Sequence, residues 1–374
     1  MFSDNTDKAK NRIPVLDGIR GLAIVLTILA HYFGEVPNGL RFLAAGSLGV
    51  DLFFVLSGFL IGSILLKNKE SNSFFSTFYI RRIFRIIPIY YLILTVTLVI
   101  LINKSLFFIN AWDRVTLPIA TYYTFTQNIY MSLSGFKDTE WLLPTWTLAV
   151  EEQFYLILPL MIRFISEKML LRVVCTLILS APIVRILLSL SGELNPIAMF
   201  VLLPCRWDLL FIGVLAAIIL RNESLRLPLM VRDALPLKIG ALAAAAIVVF
   251  LSLSDRYYGT QLGYTLALLP IGICFACYIL LILRDSEEGR MFHSDFWQFF
   301  GHISYGLYLI HQPVAGILHG CLLGSPPDIE NISQILVTLL ALALSIFIAW
   351  LSWRLFESRL IAFGHKWQYN SLAK

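Results

Sequence analysis

Residues 15–33, VLDGIRGLAIVLTILAHYF, place Asp17, Arg20 and His31 on a stretch long and apolar enough to enter a membrane. Arg20 and His31 are eleven residues apart. At 100° per residue this is three turns plus about 20°, so a helix carries both on one face, about 16 Å apart along its axis. An intramembrane charge is costly and faces the protein interior or a watery cavity. A cation low on that face and a titratable ring high on it would line a polar route through much of the bilayer. Asp17, three residues before Arg20, is spaced to pair with it. The competing reading lets Arg20 snorkel and His31 cap the helix at the interface.

Three further polar groups sit in apolar surroundings. In FYIRRIFRIIPIYY (78–91), Arg82 and Arg85 are one turn apart on one face and Arg81 adds a third charge. Such a cluster can hold phosphates, or it can anchor the chain on the cytoplasmic side. In WTLAVEEQFYLILP (146–159), Glu151 and Glu152 point about 100° apart on a helix. One carboxylate can then pair with an arginine while the other touches substrate or caps a turn, and a purely structural salt bridge competes with both. PCRWDLLFIG (204–213) contributes Arg206 and Asp208, and GHISYGLYLIHQPV (301–314) contributes His302, Ser304, Tyr305 and His311. Asp51 stands at the start of another apolar run, as a helix-start residue or a contact for a sugar or cation. The histidines lack metal-site spacing, and no nucleophile elbow, Walker loop or dinucleotide fingerprint occurs, so neither a zinc enzyme, a soluble hydrolase nor a nucleotide-driven pump is supported.

The elements that position these groups must be membrane helices. Charged residues make up 14% of the chain, well below the usual quarter of a soluble domain. The apolar runs place ten expected spans near 15–33, 46–66, 83–102, 145–165, 170–190, 202–220, 237–253, 262–283, 297–320 and 332–354. The expected fold is an all-α polytopic membrane helical bundle. With ten spans, 21 Lys and Arg fall on the side of the termini and five on the other, namely Arg41, Lys104, Arg114, Lys137 and Arg256; Arg20, Arg185 and Arg206 fall within spans. The positive-inside rule then puts both termini in the cytoplasm. The net charge of +5 is thus an orientation signal and does not point to nucleic acid. The first run continues without a small-residue cleavage site and reads as a retained signal anchor. The five cysteines lie mostly inside apolar segments, where packing is the better reading even for Cys274 and Cys277. The expected division is a cytoplasmic tail (1–14), one transmembrane domain (15–356) and a second cytoplasmic tail (357–374). Residues 103–144 form a long outer segment, expected to be re-entrant or interfacial.

In this order, the polar groups resemble the acyltransferase-3 family of integral membrane acyltransferases. LDGIRGLAIVLTILAHYF is similar to that family's first span, with its arginine, ten intervening residues and histidine. GSLGVDLFFVLSGFLIG (46–62) resembles the second, RRIFRIIPIYY the R-x-x-R start of the third, WTLAVEEQFYLILP the W-[ST]-L-x-x-E-x-x-F-Y segment, and ISYGLYLIHQP the S-Y-x-x-Y-x-x-H-x-P segment. The terminal F-E-x-P pattern is matched only by Phe356 and Glu357, since Arg359 occupies the proline position.

Members of that family O-acetylate bacterial surface polysaccharides, lipopolysaccharide, peptidoglycan or macrolides. The resemblance therefore implies a multi-pass protein of the bacterial cytoplasmic membrane, with acetyl-CoA as cytoplasmic donor and a hydroxyl of a surface or lipid-linked glycan as acceptor. It implies Arg82 and Arg85, helped by Arg20, as donor-phosphate ligands and His31 as general base, with a covalent acyl-histidine or acyl-tyrosine relay through Tyr32, Tyr305 or Tyr308 as the competing route. Of the two carboxylates, Glu152 is expected to orient a histidine or bind acceptor hydroxyls. Asp51, Arg206, Asp208, Tyr305 and His311 are expected to bind substrate or to be structural. Some relatives add a span and an SGNH hydrolase-like domain; the expected form here lacks both and works alone or with a separate periplasmic or extracellular partner. The alternatives are a flippase or transporter of a lipid-linked glycan, and a scaffold whose polar pairs only lock helices.

Overall fold

The computed structural model describes residues 13–34, 46, 48–103, 115–136, 139–191, 196–226, 234–253, 261–284 and 287–370. Lys8, Lys10, Arg12, Arg232 and Lys374, and all five basic residues expected on the outer side, lie outside the described residues. The main elements are helices: α1 (Pro14–Phe33), α2 (Leu48–Lys67), α3 (Phe74–Ile102), α4 (Ile119–Tyr123), α5 (Gln127–Ser134), α6 (Trp146–Phe164), α7 (Glu167–Ser191), α8 (Trp207–Arg221), α9 (Leu235–Leu253), α10 (Gln261–Arg284), α11 (Asp295–Leu323), α12 (Ile332–Ser352) and α13 (Ser358–Gly364). A π-helical turn, Trp353–Glu357, joins the last two.

Each expected span falls on one of these helices. Among the described residues, seven helices are long and apolar enough to cross a membrane: α1, α2, α3, α7, α10, α11 and the continuous run Ile332–Gly364. The sequence is thus an all-α, multi-pass membrane bundle. Two of the other expected spans differ for visible reasons. The first half of α6 carries Glu151, Glu152 and Gln153, and α8 has only 15 residues.

Two close helix contacts set the site. α1 and α11 run in parallel, and a Cβ on Gly301 would stand 2.0 Å from Asp17 O. Only glycine permits that approach, which is how small residues let membrane helices pack. It fixes the register that brings His31 to His311. Likewise α2 and α8 touch backbone to backbone: a Cβ on Gly58 would lie 1.9 Å from Leu210 O, and one on Gly213 2.1 Å from Val55 O. In the expected outer segment, α4 and α5 are short and pack inward. Tyr90 and Tyr91 of α3 donate to Tyr122 O and Tyr123 O, and Gln127 Nε2 donates to Thr145 O. The backbone of this non-spanning piece is satisfied against protein, as membrane depth requires.

Candidate active site

Arg82 and Arg85 are not at the start of their helix. α3 begins nine residues before the expected edge at 83, because Phe74, Thr77 and Phe78 are buried against the bundle and the helix continues unbroken from them. Arg82 and Arg85 therefore lie eight and eleven residues into the helix, roughly 12 to 16 Å along it. There they line a cavity with Arg20 of α1, Ser57 of α2, Thr147, Glu151 and Tyr155 of α6, and Ser304, Tyr305 and Tyr308 of α11. Phe53, Phe54, Leu56 and Leu60 of α2 give it an apolar wall. The free space is about 100 Å³. A water needs only ~10–15 Å³ by the same measure, so the cavity admits several waters or a narrow chain.

Inside this cavity each cation has a defined setting. Arg20 Nη1 is 3.2 Å from Asp17 Oδ1, the pairing their spacing suggested. The Arg82 guanidinium lies 5.0 Å from the centre of the Tyr155 ring. Tyr155 donates its hydroxyl to Glu151 Oε2 at 2.8 Å and is 2.7 Å from Ser57 Oγ. Glu151 is within electrostatic reach of Arg82, Arg20 and Arg85. Glu151 is thus the carboxylate that lines the cavity with the cations. Glu152, the carboxylate expected at the site, is not among the lining residues, although Arg82 and Tyr91 are within its electrostatic reach; counted from Trp146, the W-[ST]-L-x-x-E-x-x-F-Y pattern itself falls on Glu151. The reason is the 100° step between neighbours: with Tyr155 one turn on, Glu151 shares its face. Glu357 is a further carboxylate near this end. It is buried in the π-helical turn, accepts from Ser352 Oγ at 2.8 Å, and has Arg85 within electrostatic reach.

At the other end of the cavity, Tyr308 Oη donates to Pro144 O at 3.0 Å and lies 2.9 Å from Thr147 Oγ1. The Tyr308 ring is 5.8 Å from that of His311. His311 is fully buried, with Nδ1 2.7 Å from Tyr308 O and Nε2 2.8 Å from His31 Nδ1. Tyr32 donates to His311 O at 2.7 Å and lies 3.1 Å from Ser345 Oγ. The tautomers follow from this geometry. A carbonyl oxygen only accepts, so His311 Nδ1 carries its proton and its Nε2 accepts from His31 Nδ1–H. His31 Nε2 is left with a lone pair, on a side chain that is exposed. Among the described residues no third ligand completes a metal group with this pair. Arg20 and His31 share the expected face of α1, but His31 is not among the residues that line the cavity. Arg20 lines the cavity, whose lining ends at Thr147 and Tyr308, and His31 lies one ring beyond, across His311.

The remaining candidates separate from this site. Arg206 Nη1 is 2.8 Å from Asp51 Oδ1, and Arg206 Nε donates to Phe200 O at 2.7 Å. Arg185 Nη2 is 2.8 Å from Asp208 Oδ2, both wholly buried, and Arg185 Nη1 donates to Cys205 O. These two pairs tie α7, α8 and α2 together. Asp51, Arg206 and Asp208 are therefore held in protein–protein ion pairs, and Asp51 is not simply a helix-start residue. Tyr305 lines the cavity and donates to Ile86 O at 3.2 Å. Ser57, Thr147 and Tyr155 are further lining residues without an expected role; Thr147 and Tyr155 occupy positions of the W-[ST]-L-x-x-E-x-x-F-Y pattern, which was the signal for them, whereas nothing local marks Ser57.

The fold and site define a membrane helical bundle with a cation-lined cavity beside a histidine pair. Comparison with known proteins narrows it. The family model described as "Acyltransferase domain" matches residues 13–354, and the chain belongs to that family. It is 32% identical over 317 residues to the protein named "Putative peptidoglycan O-acetyltransferase YrhL" of Bacillus subtilis, covering 81% of this chain and 48% of the relative. It is 27% identical to "Peptidoglycan O-acetyltransferase OatA" of Listeria monocytogenes, covering 94% of this chain and 56% of the relative. The chain spans about half the length of these relatives. No solved structure matches. Its long apolar helices and bacterial relatives make it a multi-pass protein of the bacterial cytoplasmic membrane.

Proposed function

We propose that the protein is a membrane O-acyltransferase that moves an acetyl group from cytoplasmic acetyl-CoA to a hydroxyl of a cell-surface or lipid-linked glycan. One observation carries this reading: the hydrogen-bonded His31–His311 pair stands beyond the end of a cavity whose other end is lined by three arginines. Arg82 and Arg85, with Arg20, bind the donor phosphates, and the narrow apolar wall of α2 guides the pantetheine arm toward Tyr308. His31 Nε2 takes the proton of the acceptor hydroxyl as its oxygen attacks the thioester carbonyl. The C–S bond breaks, the CoA sulfur takes a proton back from His31, and the acetyl ester and free CoA leave. His311, fixed by Tyr308 O, keeps His31 in the reactive tautomer. Tyr308 and Thr147 form the layer that the acetyl group must pass to come within reach of His31, and Glu151 holds Tyr155 against the arginines. Glu152 keeps the role of acceptor-hydroxyl ligand. Ten spans with both termini in the cytoplasm give the donor and acceptor ends their opposite sides.

The relatives' names support peptidoglycan as the acceptor class to test first. With the purified protein in liposomes, acetyl-CoA and peptidoglycan fragments should yield free thiol and acetylated fragment in equal amounts. No thiol above the protein-free rate would reject the enzyme reading. A second reading, transport of a lipid-linked glycan, has its own support. The relatives extend far beyond the region shared with this chain, and a shared membrane part can move a group or a glycan while chemistry finishes elsewhere. That reading requires translocation of a labelled glycan without thioester consumption.

A further inference from the structure

The arginine end of the cavity is bordered by a segment that none of these roles uses. After α13 the chain turns back, and residues 365–370 lie along the start of α3. Ser71 Oγ donates to Asn370 O at 2.9 Å, Thr77 Oγ1 to Gln368 O at 3.1 Å, and Arg81 Nε to Trp367 O at 2.8 Å. Trp367 stacks on Phe84 with centroids 5.9 Å apart and planes 19° apart, yet stays 37% exposed. The Arg81 guanidinium lies 5.2 Å over the Tyr369 ring. The Tyr369 hydroxyl is enclosed without a hydrogen-bond partner among the described residues, in the field of Arg81 and of Arg82, which lines the cavity. Lys366 adds a cation beside Phe363.

We propose that this strap and the first turns of α3 form the subsite for the nucleotide end of the donor: a purine ring bearing ribose phosphate and diphosphate groups. The inference rests on the acyl-CoA reading above and extends it to the end of the donor farthest from the thioester. A purine needs a flat π surface, and Trp367 is anchored on Phe84 with part of its surface open. Phosphates need cations with directed donors; Arg81 bonds the Trp367 carbonyl, and Lys366 lies over Phe363, which packs edge-on against the Trp367 ring. The enclosed Tyr369 hydroxyl has a proton to donate and stands beside the same cations. Arg82, which lines the cavity, is within electrostatic reach of Tyr369 on the strap, so a single extended ligand can engage Trp367 and Arg82 together.

The test uses the full chain in lipid nanodiscs and three probes: adenosine 3′,5′-bisphosphate, acetyl-CoA and S-acetyl-pantetheine, which lacks the nucleotide. Wild type should bind the bisphosphate competitively with acetyl-CoA. Trp367→Ala should weaken both about tenfold or more, the scale of one lost base-stacking contact, and leave S-acetyl-pantetheine binding unchanged. Trp367→Phe should retain most of the affinity, and Arg81→Gln should repeat the loss; these two keep the test open if Trp367→Ala does not fold. Equal bisphosphate affinity in wild type, Trp367→Ala and Arg81→Gln would overturn the strap subsite while acetyl-CoA binding upheld the donor reading. Acetyl-CoA binding without bisphosphate binding would also overturn it. Failure of wild type to bind acetyl-CoA at all would reject both.

Discussion

His31 Nδ1 lies 2.8 Å from His311 Nε2, and the two rings are within 6° of parallel across 280 residues of sequence. The close α1–α11 contact at Gly301 creates this pair, and the carbonyl of Tyr308 polarises it in one direction. His31→Ala should abolish acyl transfer. His311→Ala should lower turnover by about 10²-fold, the lower range of a general-base contribution, with little change in the KM for acetyl-CoA. Release of CoA thiol by purified variants checks both, and a His311 effect confined to KM would contradict its orienting role.

The cavity arginines should act on binding. Hydrogen bonds to charged groups contribute about 1.5–3 kcal/mol each, so Arg82→Ala and Arg85→Ala should each raise the acetyl-CoA KM by roughly ten- to a hundredfold. Affinity of the wild type should fall as salt is raised. Donor titration of both variants measures this, and unchanged affinity in the two removes the phosphate role.

The adjacent glutamates should differ in the defect they produce. Glu151 holds the Tyr155 hydroxyl among three arginines, whereas Glu152 is outside the cavity lining. Glu151→Gln should impair donor binding, and Glu152→Gln should leave it intact while affecting acceptor use. Parallel donor and acceptor titrations separate them; a donor defect from Glu152→Gln alone would reverse the assignment.

The Asp51–Arg206 pair should report on stability. Removing one partner leaves a buried charge uncompensated, a loss of about 3–5 kcal/mol. Asp51→Leu alone should sharply lower the thermal midpoint in detergent, and Asp51→Leu with Arg206→Met should recover much of it. A double variant as unstable as the single one would indicate that Arg206 has a separate role.

Much of the fold was legible because apolar runs report membrane helices directly: every expected span lies on a helix. The family pattern also marked the right stretches, and the shared face of Arg20 and His31 followed from helical spacing alone. What spacing could not give was depth and partnership. The burial of Phe74 and Phe78 extends α3 and places Arg82 and Arg85 within the helix instead of at its start, which an apolar-run boundary misses. Glu151 and Glu152 are adjacent, and the register of the W-[ST]-L-x-x-E-x-x-F-Y pattern and the placement of Tyr155 agree in putting Glu151 on the cavity side. The His31–His311 and Arg206–Asp51 pairs depend on glycine contacts between helices distant in sequence, and no local periodicity encodes them. Glu357, at the only partly matched terminal pattern, lies within reach of Arg85 through a π-helical turn that the sequence does not signal.

The most direct measurement encloses acetyl-CoA inside liposomes containing the protein in one orientation, with peptidoglycan fragments outside. The account predicts free thiol inside and acetyl ester outside in a one-to-one ratio, both lost in His31→Ala. Thiol release that persists in His31→Ala, or glycan movement across the bilayer with no thiol release at all, would contradict it.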